Sequence, residues 1–140
     1  MSALIVAERL SRVFRGEGTE TAALRDVSFA IDPGEFVAIM GPSGSGKSTL
    51  LHVMGLLDRP SGGRYVFSDK ETSRLTDEEQ AHLRNERMGF VFQAFHLLPR
   101  TTVLENVLLP LSYSALPPQT HEERARRALA AVGMTHRLAH

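Results

Sequence analysis

The 140 residues carry 16 basic and 16 acidic side chains, 42% hydrophobic residues and no cysteine. That balance belongs to one soluble globular domain and excludes bulk attraction to nucleic acid or to an anionic membrane surface, both of which need an excess of Lys and Arg. Without Cys there is no disulfide, thiolate metal site or Cys nucleophile, which fits a reducing compartment.

The short apolar stretch at 3–7 has no positive segment before it, so no signal peptide is expected. The first forty residues read as a β-rich entry, with strands at 26–31 and 35–40 separated by the turn Asp32-Pro33-Gly34. A glycine cluster then leads into a helix over 48–57, where Leu50, Val53, Met54 and Leu57 recur at helical spacing and are expected to face a core. The run 59–63, Arg-Pro-Ser-Gly-Gly, breaks that helix, and 65–67 reads as a short strand. Thr76-Asp77-Glu78-Glu79 is a capping box opening a polar helix, whose charge-rich stretch 78–87 reads as a solvated face. The apolar run 88–92 predicts a buried strand that delivers Gln93 at its end.

From Ala94 the pattern is helical and loop-like, interrupted by Pro110, Pro117 and Pro118. Thr120-His121-Glu122-Glu123 predicts a second capping box opening a last helix. In that helix Glu122 with Arg126 and Glu123 with Arg127 are ordered four apart, Ala125, Ala128, Leu129 and Val132 form the apolar side, and Gly133 is the stop. The windows 50–57 and 107–111 fall short of the roughly 20 residues a spanning helix needs, so membrane spans are expected from a partner. Six histidines at 52, 82, 96, 121, 136 and 140 lack the paired spacing of a zinc site.

The string with chemical content is Gly41-Pro42-Ser43-Gly44-Ser45-Gly46-Lys47-Ser48, a glycine, four residues, then Gly-Lys-Ser, set between an expected strand and an expected helix. Glycines let the backbone curl so that successive N–H groups face a phosphate, and the dipole of the following helix reinforces that anion nest. Lys47 can then reach the β- and γ-phosphates, while Ser48 can offer its hydroxyl to Mg²⁺. The binding set is therefore Gly41, Pro42, Ser43, Gly44, Ser45, Gly46, Lys47, Ser48 and Thr49. The loop alone leaves GTPases, kinases and many ATPases open, because it reads phosphate and not the base. A guanine-reading Asn-Lys-x-Asp string is missing, since Asn85 and Asn106 are followed by Glu and Val.

Beyond the loop, the order Leu24-Arg25-Asp26-Val27-Ser28-Phe29, Pro33-Gly34-Glu35-Phe36-Val37-Ala38-Ile39, Leu50-Leu51, Gly55-Leu56-Leu57-Asp58 and Gly89-Phe90-Val91-Phe92-Gln93 resembles the nucleotide-binding subunit of an ABC transporter. Gly55 to Pro60, Gly89 to Gln93 and Glu105-Asn106-Val107 most resemble the lipoprotein-releasing and macrolide-export group. The resemblance implies an α/β phosphate-loop NTPase of the ABC type: a β-rich entry and phosphate-loop core over 1–93, and the start of a helical subdomain over 94–140. It implies ATP and Mg²⁺ as ligands, ATP hydrolysis as the reaction, and a place on the cytoplasmic face of a membrane. The implied partners are a transmembrane permease and a second nucleotide-binding domain in a head-to-tail pair. Phe14 takes the position of the adenine-stacking aromatic, although by itself it reads as a strand packing residue. Gln93 takes the position of the glutamine that approaches Mg²⁺ and the attacking water, although by itself it reads as a polar strand end. Lys47 and Gln93 are thus the candidate catalytic residues, and Ser48 and Gln93 the candidate metal contacts. The stretch 101–106 resembles the part of the helical subdomain that touches the permease.

The family's Leu-Ser-Gly-Gly-Gln signature and its apolar strand ending in Asp-Glu have no counterpart in these residues. The reading is of a chain truncated ahead of those motifs, poorly stable and without turnover alone. A phosphate-loop kinase and a nucleotide-binding regulatory module are the alternatives.

Overall fold

Alternation of apolar and polar residues near the N-terminus builds a long antiparallel hairpin, β1 (Ile5–Gly16) and β2 (Thr19–Ile31), turned at Gly18 with φ of 77°. The computed structural model describes residues 3–94 and 97–140, so His96 lies outside the described residues. Two compact units divide the chain, Met1–Ala81 and His82–His140, and the division falls within a helix.

In the first unit, β3 (Gly62–Phe67) pairs antiparallel with β1, and the short β4 (Lys70–Glu71) pairs with β3, giving a four-stranded sheet of order β2-β1-β3-β4. Of these strands, the local pattern of residues marks only the second half of β2 and the end of β3. The hairpin is irregular where Arg9 and Asp26, both at positive φ, face each other near breaks in register. Gly63 fits against this irregularity, where any side chain would collide with the Arg9 carbonyl.

Helix α1 (Lys47–Met54) lies with the sheet in this unit, and Val53 from it joins Ala7, Leu10, Leu24, Tyr65 and Phe67 among the buried apolar residues. The expected core face needs correction at one position. The helix ends at Gly55, and Leu56 at φ 54° turns inward to 4% exposure, so Leu57 is left half exposed. Tyr65 is fully buried, and its hydroxyl donates to the Met54 carbonyl at 2.7 Å, one of the acceptors the helix end leaves without an intrahelical partner. Burial pushes the Tyr65 hydroxyl pKa up. Helix α2 (Asp77–Arg87) opens with the expected capping box: Thr76 N–H donates to Glu79 Oε2 at 2.7 Å and Glu79 N–H to Thr76 Oγ1 at 3.2 Å. Its charged face is exposed, while Gln80 and Leu83 are buried.

Two expected strands are not formed. Residues 35–40 and 88–92 carry no regular secondary structure and enter no ladder among the described residues, and Phe36, Met40 and Val91 are 97%, 88% and 103% exposed. Apolar runs without alternation suit strands covered on both faces and flanked by parallel neighbours. The described residues supply no such neighbours to either run.

In the second unit, Thr102 caps α3 (Val103–Leu108) in a complete capping box with Glu105, and the carbonyls of Leu138 and His140 accept from the N–H groups of Leu104 and Val103. Asn106 secures the preceding loop, accepting from Leu98 N–H at 2.8 Å and donating to Thr101 Oγ1 at 2.6 Å. Helix α4 (His121–Ala131) lacks its expected box. Thr120 belongs to a 3₁₀ turn, Pro118–Thr120, has helical dihedrals, and donates its hydroxyl to the Pro117 carbonyl at 2.8 Å instead of accepting from the helix. The apolar side of α4 is also narrower than expected: Ala125 and Leu129 are buried, while Ala128 and Val132 are exposed. The Glu122–Arg126 pair forms at 2.7 Å. Gly133 ends the helix at φ 72°, with the bonds Gly133 N–H to Ala130 O and Met134 N–H to Leu129 O that mark a left-handed C-terminal cap. No helix among the described residues is long and apolar enough to cross a membrane.

Candidate nucleotide-binding site

The turn Asp32-Pro33-Gly34 closes through Glu35 N–H to Asp32 O at 3.3 Å, and the irregular segment 35–40 leads from it into the glycine loop. The loop curls as its composition requires. Gly44 and Gly46 have φ of 80° and 88°, Ser45 N–H bonds the Pro42 carbonyl at 3.3 Å, and α1 begins at Lys47. Both dihedrals lie in the left-handed region that residues with a Cβ rarely adopt. Gly46 is constrained twice, because it also lies against β2: a Cβ there would collide with the Ala23 carbonyl and sit 3.2 Å from Leu24 Cδ2.

Lys47 extends over the loop, and its ammonium donates to the carbonyls of Gly41 at 2.9 Å and Pro42 at 2.6 Å, with Ser45 Oγ at 3.5 Å. A positive charge is thereby held at the loop by main-chain carbonyl oxygens. Ser48 is exposed in the first turn of α1, and Thr49 is half-buried behind it. Curled glycines, a cation and an exposed hydroxyl at a helix start suit a phosphate group with a hard cation that takes oxygen ligands.

Phe14 belongs to the same unit. Gly46 touches Ala23 and Leu24, and Leu24 and Ala22 pair with Arg12 and Val13 of β1. The strand carrying Phe14 thus runs about 5 Å from the strand touching the loop, and Phe14 is two residues, about 7 Å, beyond Arg12. The ring is 44% exposed beside an open cleft of about 600 Å³ that Arg12, Arg15, Ser61 and Gly62 also line. Gln93 belongs to the second unit and is exposed at the end of the irregular segment 88–92, after Phe90 and Phe92, whose rings stack at 5.7 Å.

Arg12 is a feature the sequence reading missed. Its guanidinium carbon lies 4.5 Å from the centre of the Phe14 ring, and its Nε donates to Asp58 Oδ2 at 2.8 Å. The available signal was the spacing of two along a strand, which puts Arg12 and Phe14 on one face. Nothing in the sequence pointed to Asp58, 46 positions away.

A glycine loop turning into a helix beside an antiparallel sheet defines a phosphate-loop domain with a β-rich entry. The profile of the family described as ABC transporter matches residues 24–140, and the chain belongs to that family. It is 52% identical over 118 residues to an uncharacterized ABC transporter ATP-binding protein of Thermotoga maritima, covering 84% of this chain and 50% of that protein. Its identity to the lipoprotein-releasing system ATP-binding protein LolD of Idiomarina loihiensis is 41%, covering 99% of this chain and 60% of that one. With the macrolide export ATP-binding/permease protein MacB of Marinobacter nauticus it is 46%, over 98% of this chain and 21% of that one. The ATP-binding cassette MJ0796, solved as a dimer bound to ADP and Pi, superimposes with a TM-score of 0.84 at 38% identity, over 96% of this chain and 60% of that one. The chain thus spans about half the length of the Thermotoga protein and three-fifths of LolD and MJ0796.

Proposed function

We propose that these residues bind Mg²⁺-ATP as part of the ATP-binding subunit of an ABC transporter of the export or release kind. The observation that carries the reading is Lys47, whose ammonium is held over a loop curled by Gly44 and Gly46. In the reading, the loop from Gly41 to Thr49 cradles the phosphates, Lys47 exchanges its carbonyl partners for β- and γ-phosphate oxygens, and Ser48 gives its hydroxyl to Mg²⁺. Ser48 would hold the metal, which would supply positive charge to offset that of the phosphates. Phe14, one strand away from the loop and about 7 Å along, is at a distance suited to stacking on the base of the same nucleotide. Gln93 is assigned a contact to Mg²⁺ and the attacking water.

Hydrolysis, coupling to a membrane permease, head-to-tail pairing with a second nucleotide-binding domain and a peripheral place on the cytoplasmic face of the membrane are proposed for the whole protein. The names of LolD and MacB and the dimer of MJ0796 support them. The division into an entry and phosphate-loop core over 1–93 and a helical start over 94–140 belongs to the same proposal. Calorimetric titration with ATP, in Mg²⁺ and in chelator, tests the binding step. Binding that needs Mg²⁺ and is weakened by roughly one to two orders of magnitude in Lys47→Ala is expected, and equal affinity of wild type and Lys47→Ala would overturn it.

A further inference from the structure

We propose that Arg12, held by Asp58, is a positioning residue for base recognition: it covers one face of the Phe14 ring and leaves the other as the stacking surface. The inference rests on the assignment of Phe14 to the nucleotide base and adds which face is used and what fixes it.

The guanidinium is pinned on several sides. Arg12 Nε donates to Asp58 Oδ2 at 2.8 Å, and Nη1 reaches Ser61 Oγ at 3.5 Å. Both anchors are themselves fixed. Asp58 Oδ1 accepts from Arg59 N–H at 2.8 Å, while Ser61 Oγ accepts from Val13 N–H at 3.0 Å and donates to the Val13 carbonyl at 3.3 Å. The Arg12 and Asp58 side chains are about three-quarters buried, at 23% and 26% exposure, unlike the more open pair Arg15–Glu20 at 80% and 66% on the same hairpin. A surface pair of the latter kind holds neither side chain in one place, whereas a short, partly desolvated pair with further hydrogen bonds does.

With a cation 4.5 Å above its centre, the Phe14 ring has one π-face occupied. A base that stacks on the ring must therefore use its opposite face. Two consequences follow for a purine. Stacking is limited to one side, and the ring is held in its rotamer before the ligand arrives, which lowers the ordering cost of binding. The cation also draws π-density toward itself, which eases offset stacking on the far face.

Inorganic tripolyphosphate isolates the effect, because it shares the phosphates of ATP and lacks the base. Calorimetric titrations of both ligands with Mg²⁺ are compared for wild type, Arg12→Gln, Arg12→Lys, Asp58→Asn and Phe14→Leu. Arg12→Gln is expected to weaken ATP about threefold to tenfold while tripolyphosphate stays within about twofold. Asp58→Asn keeps the acceptor for Arg59 N–H and is expected to act in the same direction with a smaller effect. Arg12→Lys, which preserves a cation over the ring, should recover most of the ATP affinity. If Arg12→Gln weakens both ligands equally, Arg12 is a phosphate contact and the inference fails. It fails alone if Phe14→Leu weakens ATP selectively and Arg12→Gln does not. A wild type without preference for ATP over tripolyphosphate, or a Phe14→Leu variant without effect, overturns the base assignment and the inference with it. Should Arg12→Gln melt well below wild type, the selective change in Asp58→Asn and its absence in Arg12→Lys decide the matter.

Discussion

Gly46 and Ala23 lie so close that the phosphate loop has no room for a side chain where it meets β2: a Cβ on Gly46 would collide with the Ala23 carbonyl oxygen. Gly46 also has φ of 88°, so an alanine there would be strained as well as obstructed. Either effect costs on the order of 1–3 kcal/mol. Gly46→Ala is expected to lower the urea midpoint and abolish ATP binding together. Gly44→Ala is the comparison, because Gly44 shares the left-handed φ of 80° but has open space around it. Gly44→Ala should lose less stability, by about 1 kcal/mol or more relative to Gly46→Ala. Equal losses would mean that the approach to β2 contributes nothing.

Lys47 has two roles in this geometry, a tether across the loop through the Gly41 and Pro42 carbonyls and a cation for phosphate. Lys47→Ala removes both, whereas Lys47→Met keeps most of the aliphatic stem. Hydrogen bonds to charged groups contribute about 1.5–3 kcal/mol, so either variant should weaken Mg²⁺-ATP by roughly one to two orders of magnitude. Calorimetry supplies the affinity, and amide hydrogen exchange at 41–46 reports the tether. Faster exchange there in ligand-free Lys47→Ala than in wild type is expected, and unchanged exchange would remove the tether from the account.

The parts of this architecture that could be read from the chain are those fixed by residues near in sequence. The turn at Asp32, the curl at Gly44 and Gly46, the box joining Thr76 and Glu79 and the stop at Gly133 each depend on a few neighbouring residues, and each is formed. The misreadings arise where distant or competing partners decide. Residues 35–40 and 88–92 have the composition of covered strands, but a strand exists only with a neighbour, and no local pattern encodes one. Thr120 has the residue types of a cap, yet Pro117 and Pro118 set a 3₁₀ turn ahead of it whose carbonyl takes the hydroxyl first. Helical spacing put Leu57 in the core, and the break at Gly55 gave that place to Leu56. At the candidate site the phosphate loop was legible, whereas Arg12 and Asp58 meet through the fold.

Glu79 and Glu105 are exposed carboxylates whose acidity is set by helix starts. Thr76 N–H at Glu79 and Thr102 N–H at Glu105, each 2.7 Å away, together with the threonine hydroxyls, hold both carboxyl groups below the usual glutamate range. A depressed folded-state pKa gives stabilisation that is present above the unfolded value, about 4.3, and is lost as pH falls through the folded value. The start of each helix should accordingly fray on acidification within that window. Side-chain carbon NMR titration should give midpoints for both residues below the ordinary glutamate value of about 4.3, and Thr76→Ala and Thr102→Ala should each raise the midpoint of their own partner. Midpoints insensitive to those substitutions would sink the capping account.

Tyr65 offers the opposite pH signature, from the middle of the first unit. Its buried hydroxyl donates to the Met54 carbonyl at 2.7 Å, and burial raises its pKa above the usual tyrosine value of about 10. A raised folded-state pKa gives stabilisation that is complete below the unfolded value and is lost as pH rises through the folded one. Urea midpoints of the wild type should therefore begin to fall above about pH 10, as the unfolded state releases a proton that the folded state retains. Tyr65→Phe removes that alkaline component. At neutral pH the same variant leaves the carbonyl at the end of α1 without its partner, and a loss of about 1–2 kcal/mol is expected. Tyrosinate absorbance in a Tyr113→Phe background supplies an independent check, because Tyr65 is then the one tyrosine left in the chain. The tyrosinate signal of Tyr65 should appear only with unfolding; if it appears before the fold is lost, the hydroxyl of Tyr65 is not held as described.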